Sequence, residues 1–301
     1  MGRKQSLAAD RTDGAGRHLR RPTVMDGPQI KLLPDGRRLH LQHGPIDLVI
    51  EAFGGREEVG AAYGQAADRF GSVLEELAGE LGNLRSPVTE PRWQPDGPIA
   101  CKMMEAVWPH RKAFVTPMAA VAGAVADETM SALTDGREIA KAYINNSGDI
   151  AIHLTEGESL SLGIVNELDR PAIDGTAEFK FDQPVRGVAT SGWRGRSWSF
   201  GIADAVTVLA PTAAAADVAA TLIANSVNAE HPAVDRAPAS EVDDNTDLGD
   251  RLVTVGVGDI DPATIEEALD NGQVAAGEMR ASGLIHSAFM ALKGDVRVVG
   301  P

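Results

Sequence analysis

The hydrophobic pattern begins with two short strand-like runs, residues 30–33 and 38–42, separated by Pro34-Asp35-Gly36, and predicts strand, turn, strand. Gly44-Pro45 breaks the second run, residues 46–53 predict a third strand, and Gly54-Gly55 stops it. From Arg56 the period changes. Val59, Tyr63, Phe70, Val73, Leu74, Leu77 and Leu81 recur at helical spacing and predict a long helix, with Gly60, Gly64 and Gly71 as points of irregularity. Residues 84–98 are Pro-rich and read as a loop, and Met103, Met104, Val107 and Trp108 mark a short buried element of undecided type. Thr116-Pro117 supplies an N-cap and a first-turn proline for an Ala-rich helix reaching Leu133.

Residues 141–154 carry a strand pattern interrupted by Asn145-Asn146-Ser147-Gly148-Asp149. Further strands are predicted over 159–165, 176–181 and 185–189, and a long one over 197–209. Pro211-Thr212 opens a second Ala-rich helix ending near Ala229, and 230–250 reads as an acidic surface loop. A strand over 251–257 and a helix from Asp261-Pro262 to about Ala281 follow. Strands over 284–292 and 296–299, with Gly294-Asp295 as their hairpin turn, end the chain. Strands and helices come in blocks, which predicts an α+β fold with mixed or antiparallel sheets rather than a doubly wound parallel one. Two Ala-rich helices, each announced by Thr and Pro, point to an internal pseudo-repeat.

Composition narrows the function. Apolar residues at 43% and charged residues at 24% of 301 are ordinary for a globular chain, and aromatics at 4% leave the core to Ala, Val, Leu and Ile. With 28 Lys and Arg against 43 Asp and Glu, the net charge of −15 argues against nucleic acid and anionic membrane as partners. A local basic pocket for a phosphorylated small molecule stays compatible with that total. The single Cys101 excludes an intramolecular disulfide and an all-Cys metal cluster. No run approaches a membrane span. Residues 1–24 are basic, without an apolar signal core or periodicity. They are expected to be a disordered extension on a cytoplasmic protein, with 25–301 as one domain.

The second Ala-rich helix is the most informative segment. Asp217, Thr221 and Asn225 share one stripe, opposite Val218, Leu222, Ile223 and Val227, and Asp217 is the helix's one charged residue. A carboxylate and a hydroxyl one turn apart suit a hard cation such as Mg²⁺, shared with phosphate oxygens. The same pair also fits an acid favouring the helix dipole and a Thr bonded back to its own helix.

The segment from Gly187 to Arg196 has glycines for close approach, Thr190 and Ser191 hydroxyls, Gly192, and the charges of Arg194 and Arg196. Together they suit a pyrophosphate, or equally a hairpin turn with surface arginines. Asn146, Gly148 and Asp149 mark a close backbone approach to a ligand, or an Asx-type turn. The Asp243–Gly249 run imitates a calcium loop but has Leu248 and Thr254 where Gly and Glu are required. No His-x-x-x-His pair suggests a zincin.

Taken together in this order, Asn146-Ser147-Gly148-Asp149-Ile150, Ala189-Thr190-Ser191-Gly192 and Ala216-Asp217-Val218-Ala219-Ala220-Thr221 resemble the ApbE superfamily. Within it the wording Gly-Val-Ala-Thr-Ser-Gly, then 201–208, is similar to a compact branch over roughly residues 29–300. That family is known for Mg²⁺-dependent FAD:protein FMN transferases. The resemblance implies an ApbE-like domain binding FAD or FMN, a metal on Asp217 and Thr221, and an acceptor protein as partner. It places Asn146, Gly148, Asp149, Thr190, Ser191, Gly192, Arg194 and Arg196 around the cofactor. The chain departs from the family pattern at 197–204, where the family's His-Ile-Ile-Asp-Pro segment is replaced by a stretch lacking His and Pro, and it shows no clear Lys-Gly segment. Asp204 then stands as a candidate general base. The expected function is a flavin- or nucleotide-binding protein with a Mg²⁺ site, as a transferase or as a non-catalytic binding protein on the same scaffold.

Overall fold

The computed structural model describes residues 27–164 and 175–301. The extension read over 1–24 lies outside the described residues.

The chain runs β1 (Gln29–Leu32), β2 (Leu39–His43), β3 (Ile46–Gly54), α1 (Arg56–Gly79), α2 (Leu81–Leu84), α3 (Pro98–Val107), α4 (Val121–Thr134), β4 (Ile139–Asn146), β5 (Asp149–Leu154), β6 (Ser159–Ile164) and β7 (Gly175–Lys180). It continues through β8 (Gly187–Ser191), β9 (Ala205–Ala210), α5 (Ala213–Ser226), β10 (Val234–Pro238), α6 (Ala239–Val242), β11 (Leu252–Val257), α7 (Pro262–Ala281), β12 (Ser287–Leu292) and β13 (Asp295–Val299). Among the described residues nine strands form one sheet in the order β1-β2-β3-β4-β5-β8-β9-β12-β13, every pairing antiparallel. The fold is α+β, as the blocks of strand and helix predict.

The order contains a repeat. β2 and β3, then α1 and α4, then β4 and β5 form one half; β8 and β9, then α5 and α7, then β12 and β13 form the other. Each half carries an insertion between its two helices, α2 and α3 in the first and the β10–β11 pair with α6 in the second. A pseudo-repeat is therefore present, but the two Ala-rich helices are not equivalent members of it: α4 is the second helix of its half and α5 the first.

Strand alternation sets the layers. Leu41, Leu48, Ile50, Ala142 and Ile144 pack beneath Phe70 and Val73 of α1 and Ala124 and Val125 of α4. Ala189, Val206, Val208 and Met290 pack beneath Ile223 of α5 and Leu269 of α7. On the opposite face Ile152 and Val188 meet Leu160 and Phe179 of the β6–β7 hairpin. The core is aliphatic, as the low aromatic content requires.

Several sequence expectations change. The strand read over 197–209 begins only at Ala205. Upstream of it, the Phe200 amide donates to Asn225 Oδ1 (2.9 Å) and the Ile202 amide to the Val227 carbonyl (2.8 Å), so the end of α5 takes the bonds a strand neighbour would. The acidic stretch 230–250 holds β10 and α6, because β11 pairs with β10. The last hairpin turns at Lys293-Gly294, both at positive φ (52° and 90°), and Asp295 already pairs with Leu292. The undecided element at 98–109 is a helix, α3, and α1 runs unbroken through its glycines.

Candidate functional site

The site grows from the way α4 and α5 meet. Asp217, one turn into α5, accepts the Gly123 amide at 3.0 Å and also the Ala122 amide, both at the start of α4. Asp127, in the second turn of α4, accepts the amides of Ala213 (3.0 Å) and Ala214 (2.9 Å) at the start of α5. The first turns of the two helices thus lie side by side, and each N-terminus is capped by the other's aspartate. Amides left orphaned by helix geometry, and the positive end of each dipole, account for both acids. Gly123 permits the contact: a Cβ there would overlap the Ala213 carbonyl.

β5 brings the third carboxylate. Asp149 opens β5 on the sheet face that Ala151 buries against the helices, and it accepts the Thr190 amide. Opposite it in register, Asn146 is 4% exposed and donates from Nδ2 to the Ala122 carbonyl at 3.0 Å. The turn between them, Ser147-Gly148, has positive φ at both residues and is closed by the Gly148 amide on Asn145 Oδ1 (2.8 Å). This is the Asx-type turn, and it places a hairpin tip beside the start of α4. Arg196 clasps that tip, donating to Ser147 Oγ at 2.7 Å and to the Pro45 carbonyl at 3.4 Å.

As whole residues all three are half-buried, and their carboxyl groups are largely desolvated. Burial raises Asp217 to about 7 against the pull of its two amides, and the charge of Asp127 adds to the rise. Burial, then the charge of Asp217, pushes Asp149 well above the ordinary carboxylate range. Burial lifts Asp127 to about 6, outweighing both amide bonds and nearby Lys102. A carboxylate that accepts two amides normally ionises easily, so desolvation wins here.

The structure brings together Asn146, Gly148, Asp149, the Thr190 main chain and Asp217, with Thr221 one turn further along α5 and Arg196 at the rim. Several expectations move. The Thr190 hydroxyl points to the opposite sheet face, where it meets Thr207 Oγ1 at 2.9 Å; its amide, not its hydroxyl, serves the site. Asp204 is an anchor: it accepts the Lys293 amide (2.6 Å) and Trp193 Nε1 (3.2 Å) and pairs with Arg194 (3.2 Å). That ties Arg194 to its own loop, and Gly192 packs on the Asp204 backbone, where a Cβ would clash. Asn225, the third member of the α5 stripe, accepts Ser199 Oγ at 3.0 Å and holds the same loop. Sequence reasoning missed Asp127 and the amides of Ala122 and Gly123. The available signal was an acid placed early in each of two Ala-rich helices.

The donors at the corner are all oxygens. Among the described residues no group of three or more His, Cys, Asp or Glu is placed to hold a metal. Two carboxylates that repel each other in a desolvated but reachable place still fit Mg²⁺, which commonly binds one or two protein carboxylates and fills its shell with water and phosphate oxygens. Among the described residues no helix is long and apolar enough to cross a membrane.

The model of a family described as AbpE bacteria matches residues 30–298. A UPF0280 protein of Methanothermobacter thermautotrophicus is 40% identical over 141 residues, 46% of this chain and 52% of that protein. A UPF0280 protein of Methanoregula boonei is 33% identical over 189 residues, 61% of this chain and 75% of that protein. The match thus spans about half the length of the first of these relatives. Among solved structures, the flavin transferase ApbE from Vibrio cholerae is 12% identical with a TM-score of 0.45, covering 84% of this chain and 93% of that one. The flavinyl transferase ApbE of Pseudomonas stutzeri, in its apo form, is also 12% identical, with a TM-score of 0.44 and coverage of 92% and 96%.

Proposed function

The chain belongs to the family described as AbpE bacteria, and on that premise we propose that the corner between Asp149 and Asp217 binds Mg²⁺ together with the phosphates of a flavin nucleotide, FAD or FMN. One observation carries the reading: two carboxyl groups, Asp149 and Asp217, lie together in a desolvated corner, and the charge of Asp217 pushes the proton affinity of Asp149 further up. A merely structural pair has no need of that arrangement, whereas a cation relieves it. Asp149, Asp217 and the Thr221 hydroxyl would hold the ion, and a bound Mg²⁺ neutralises charge on a pyrophosphate and eases its cleavage.

The chain's own groups supply the rest. Arg196 and the positive-φ turn at Ser147-Gly148 form the rim that a phosphate would meet. The Asn146 side chain fixes the first turn of α4, whose amides in turn hold Asp217. Binding without transfer is the form this geometry favours, because the Asp204 carboxylate already accepts three donors and is poorly placed to take a proton from an acceptor hydroxyl. Transfer of FMN to an acceptor protein is the second reading, carried by the Asp217–Thr221 stripe. Incubation with FAD, Mg²⁺ and a hydroxyl-bearing acceptor peptide, followed by intact mass, separates the two. Stoichiometric flavin binding with no mass gain is expected; an Asp217-dependent gain of one FMN establishes transfer.

A further inference from the structure

A cavity of about 510 Å³ lies on the other side of the α4–α5 contact, between the two halves of the fold. The first half contributes α3, α4 and Ala151-Ile152 of β5; the second contributes the start of α5 and the Gly283-Leu284 turn after α7. Its size is that of a small-molecule site, and junctions of this kind are favoured places for one. It mirrors the corner described above: one adjoins the start of α4 beside Asp217, the other the start of α5 beside Asp127. Their chemistry differs. The first has a pair of carboxylates; the second adds Lys102, Arg186 and the His110 ring to its one buried acid, Asp127.

The amides at the start of α5 are not open to a ligand. Ala213 and Ala214 donate to Asp127, and Ala215 donates to Thr212 Oγ1 at 3.1 Å. Both Asp127 oxygens are thereby occupied, and burial holds that group toward its protonated form. The other acid of the lining, Glu105, is solvent-exposed at the rim. The basic groups are less well matched. Lys102 makes a 3.6 Å ion pair with Glu128, too long for a hydrogen bond. The His110 ring, half-buried, has no hydrogen-bond partner among the described residues, and its desolvation favours the neutral form. Arg186 donates to the carbonyls of Phe181, Gln183 and Val185, and no carboxylate among the described residues balances its charge. Met130, Ala151 and Leu284 supply an apolar wall.

We propose that this cavity is a binding site for a small amphipathic anion, with a carboxylate or phosphate head on Lys102 and His110 and an apolar body against Met130, Ala151 and Leu284. The proposal is independent of the flavin reading, since it uses none of the groups placed at the Asp149–Asp217 corner. Arg186 adds a fixed positive field, and the half-open mouth lets the head enter beside Lys102. A bare inorganic anion gains the charge but not the burial, so it binds more weakly than the same head on an apolar body.

The test is isothermal titration of the full chain with decanoate, 1-naphthyl phosphate and inorganic phosphate as probes. At least one amphipathic probe should bind with one-to-one stoichiometry, at least tenfold more tightly than inorganic phosphate; which of the two does so tells a carboxylate from a phosphate ligand. Lys102→Gln, at a partly exposed position, should weaken that binding about tenfold. Ala106→Trp, which fills the cavity, should abolish it, and Asp217→Asn should leave it unchanged. If neither amphipathic probe binds, the proposal is wrong. It is equally wrong if binding survives Lys102→Gln undiminished, or if Asp217→Asn removes it, which would move the probe to the other corner. Should Ala106→Trp fail to fold, the Lys102→Gln comparison still decides.

Discussion

Asp217 accepts two helix amides and still holds its proton up to about pH 7, because burial and the charge of Asp127 outweigh those bonds. The sign of the pH dependence follows. A carboxyl raised in the folded state binds protons more tightly than in the unfolded chain. Stability contributed by Asp127 and Asp217 is therefore fullest below the ordinary carboxylate range and is lost as pH rises through about 6 to 7. Urea titrations without divalent ions should show stability falling between about pH 4 and 7, the reverse of the usual carboxylate behaviour. A cation must displace the proton, so the rise in Tm produced by Mg²⁺ should be small at low pH and grow as pH passes about 7. A Mg²⁺ effect independent of pH would mean that the ion binds elsewhere. At this scale the sequence was partly legible. An acid alone on an Ala-rich stripe pointed to Asp217, but its function as a cap for another helix is a tertiary contact. The partnership with Asp127 spans 90 residues and leaves no local spacing to read.

The pairing of α4 with α5 shows the same logic in larger units. Removing the acid that caps α5, Asp127→Ala, leaves the amides of the buried Ala213 and Ala214 unpaired. It should lower stability by about 1–3 kcal/mol in denaturant titrations at neutral pH. No loss would mean that the relief of a desolvated charge cancels the lost cap. On α1 the expectation is opposite in sign. Gly64 and Gly71 are exposed in helical backbone, and a Cβ at either would meet nothing within 4 Å. Gly64→Ala and Gly71→Ala should each stabilise by roughly 0.5–1 kcal/mol, read as a shift of the urea midpoint at constant slope. Elements with strong periodicity, such as α1 and α7, could be read from the chain. The segment 197–204 could not: its apolar residues alternate like a strand, while its Phe200 and Ile202 amides are taken by Asn225 and the end of α5. β10 was hidden for the converse reason, since a short polar strand becomes visible only through its partner β11.

Across the whole molecule, two halves of equal topology meet along a short β5–β8 seam, paired in register only at Ile150–Val188 and Ala151–Gly187. The α4–α5 contact at Gly123 must then carry much of the join. Gly123→Ala should cost about 1–3 kcal/mol by overpacking and, by pushing the helices apart, weaken the Mg²⁺ response as well. The repeat was hinted at by two similar helix starts, yet the hint paired the wrong helices, because likeness of composition is not equivalence of position. Family membership was legible only through the combination of three short motifs, each weak alone.

Joint binding of Mg²⁺ and a flavin nucleotide at the Asp149–Asp217 corner is read by quenching of FAD fluorescence on titration with the protein, with and without Mg²⁺, in wild type and in Asp217→Asn. Saturable binding that Mg²⁺ tightens at least tenfold in wild type and leaves unchanged in Asp217→Asn is the predicted result. Equal flavin binding with and without Mg²⁺, or no flavin binding by the folded wild-type protein, would contradict it.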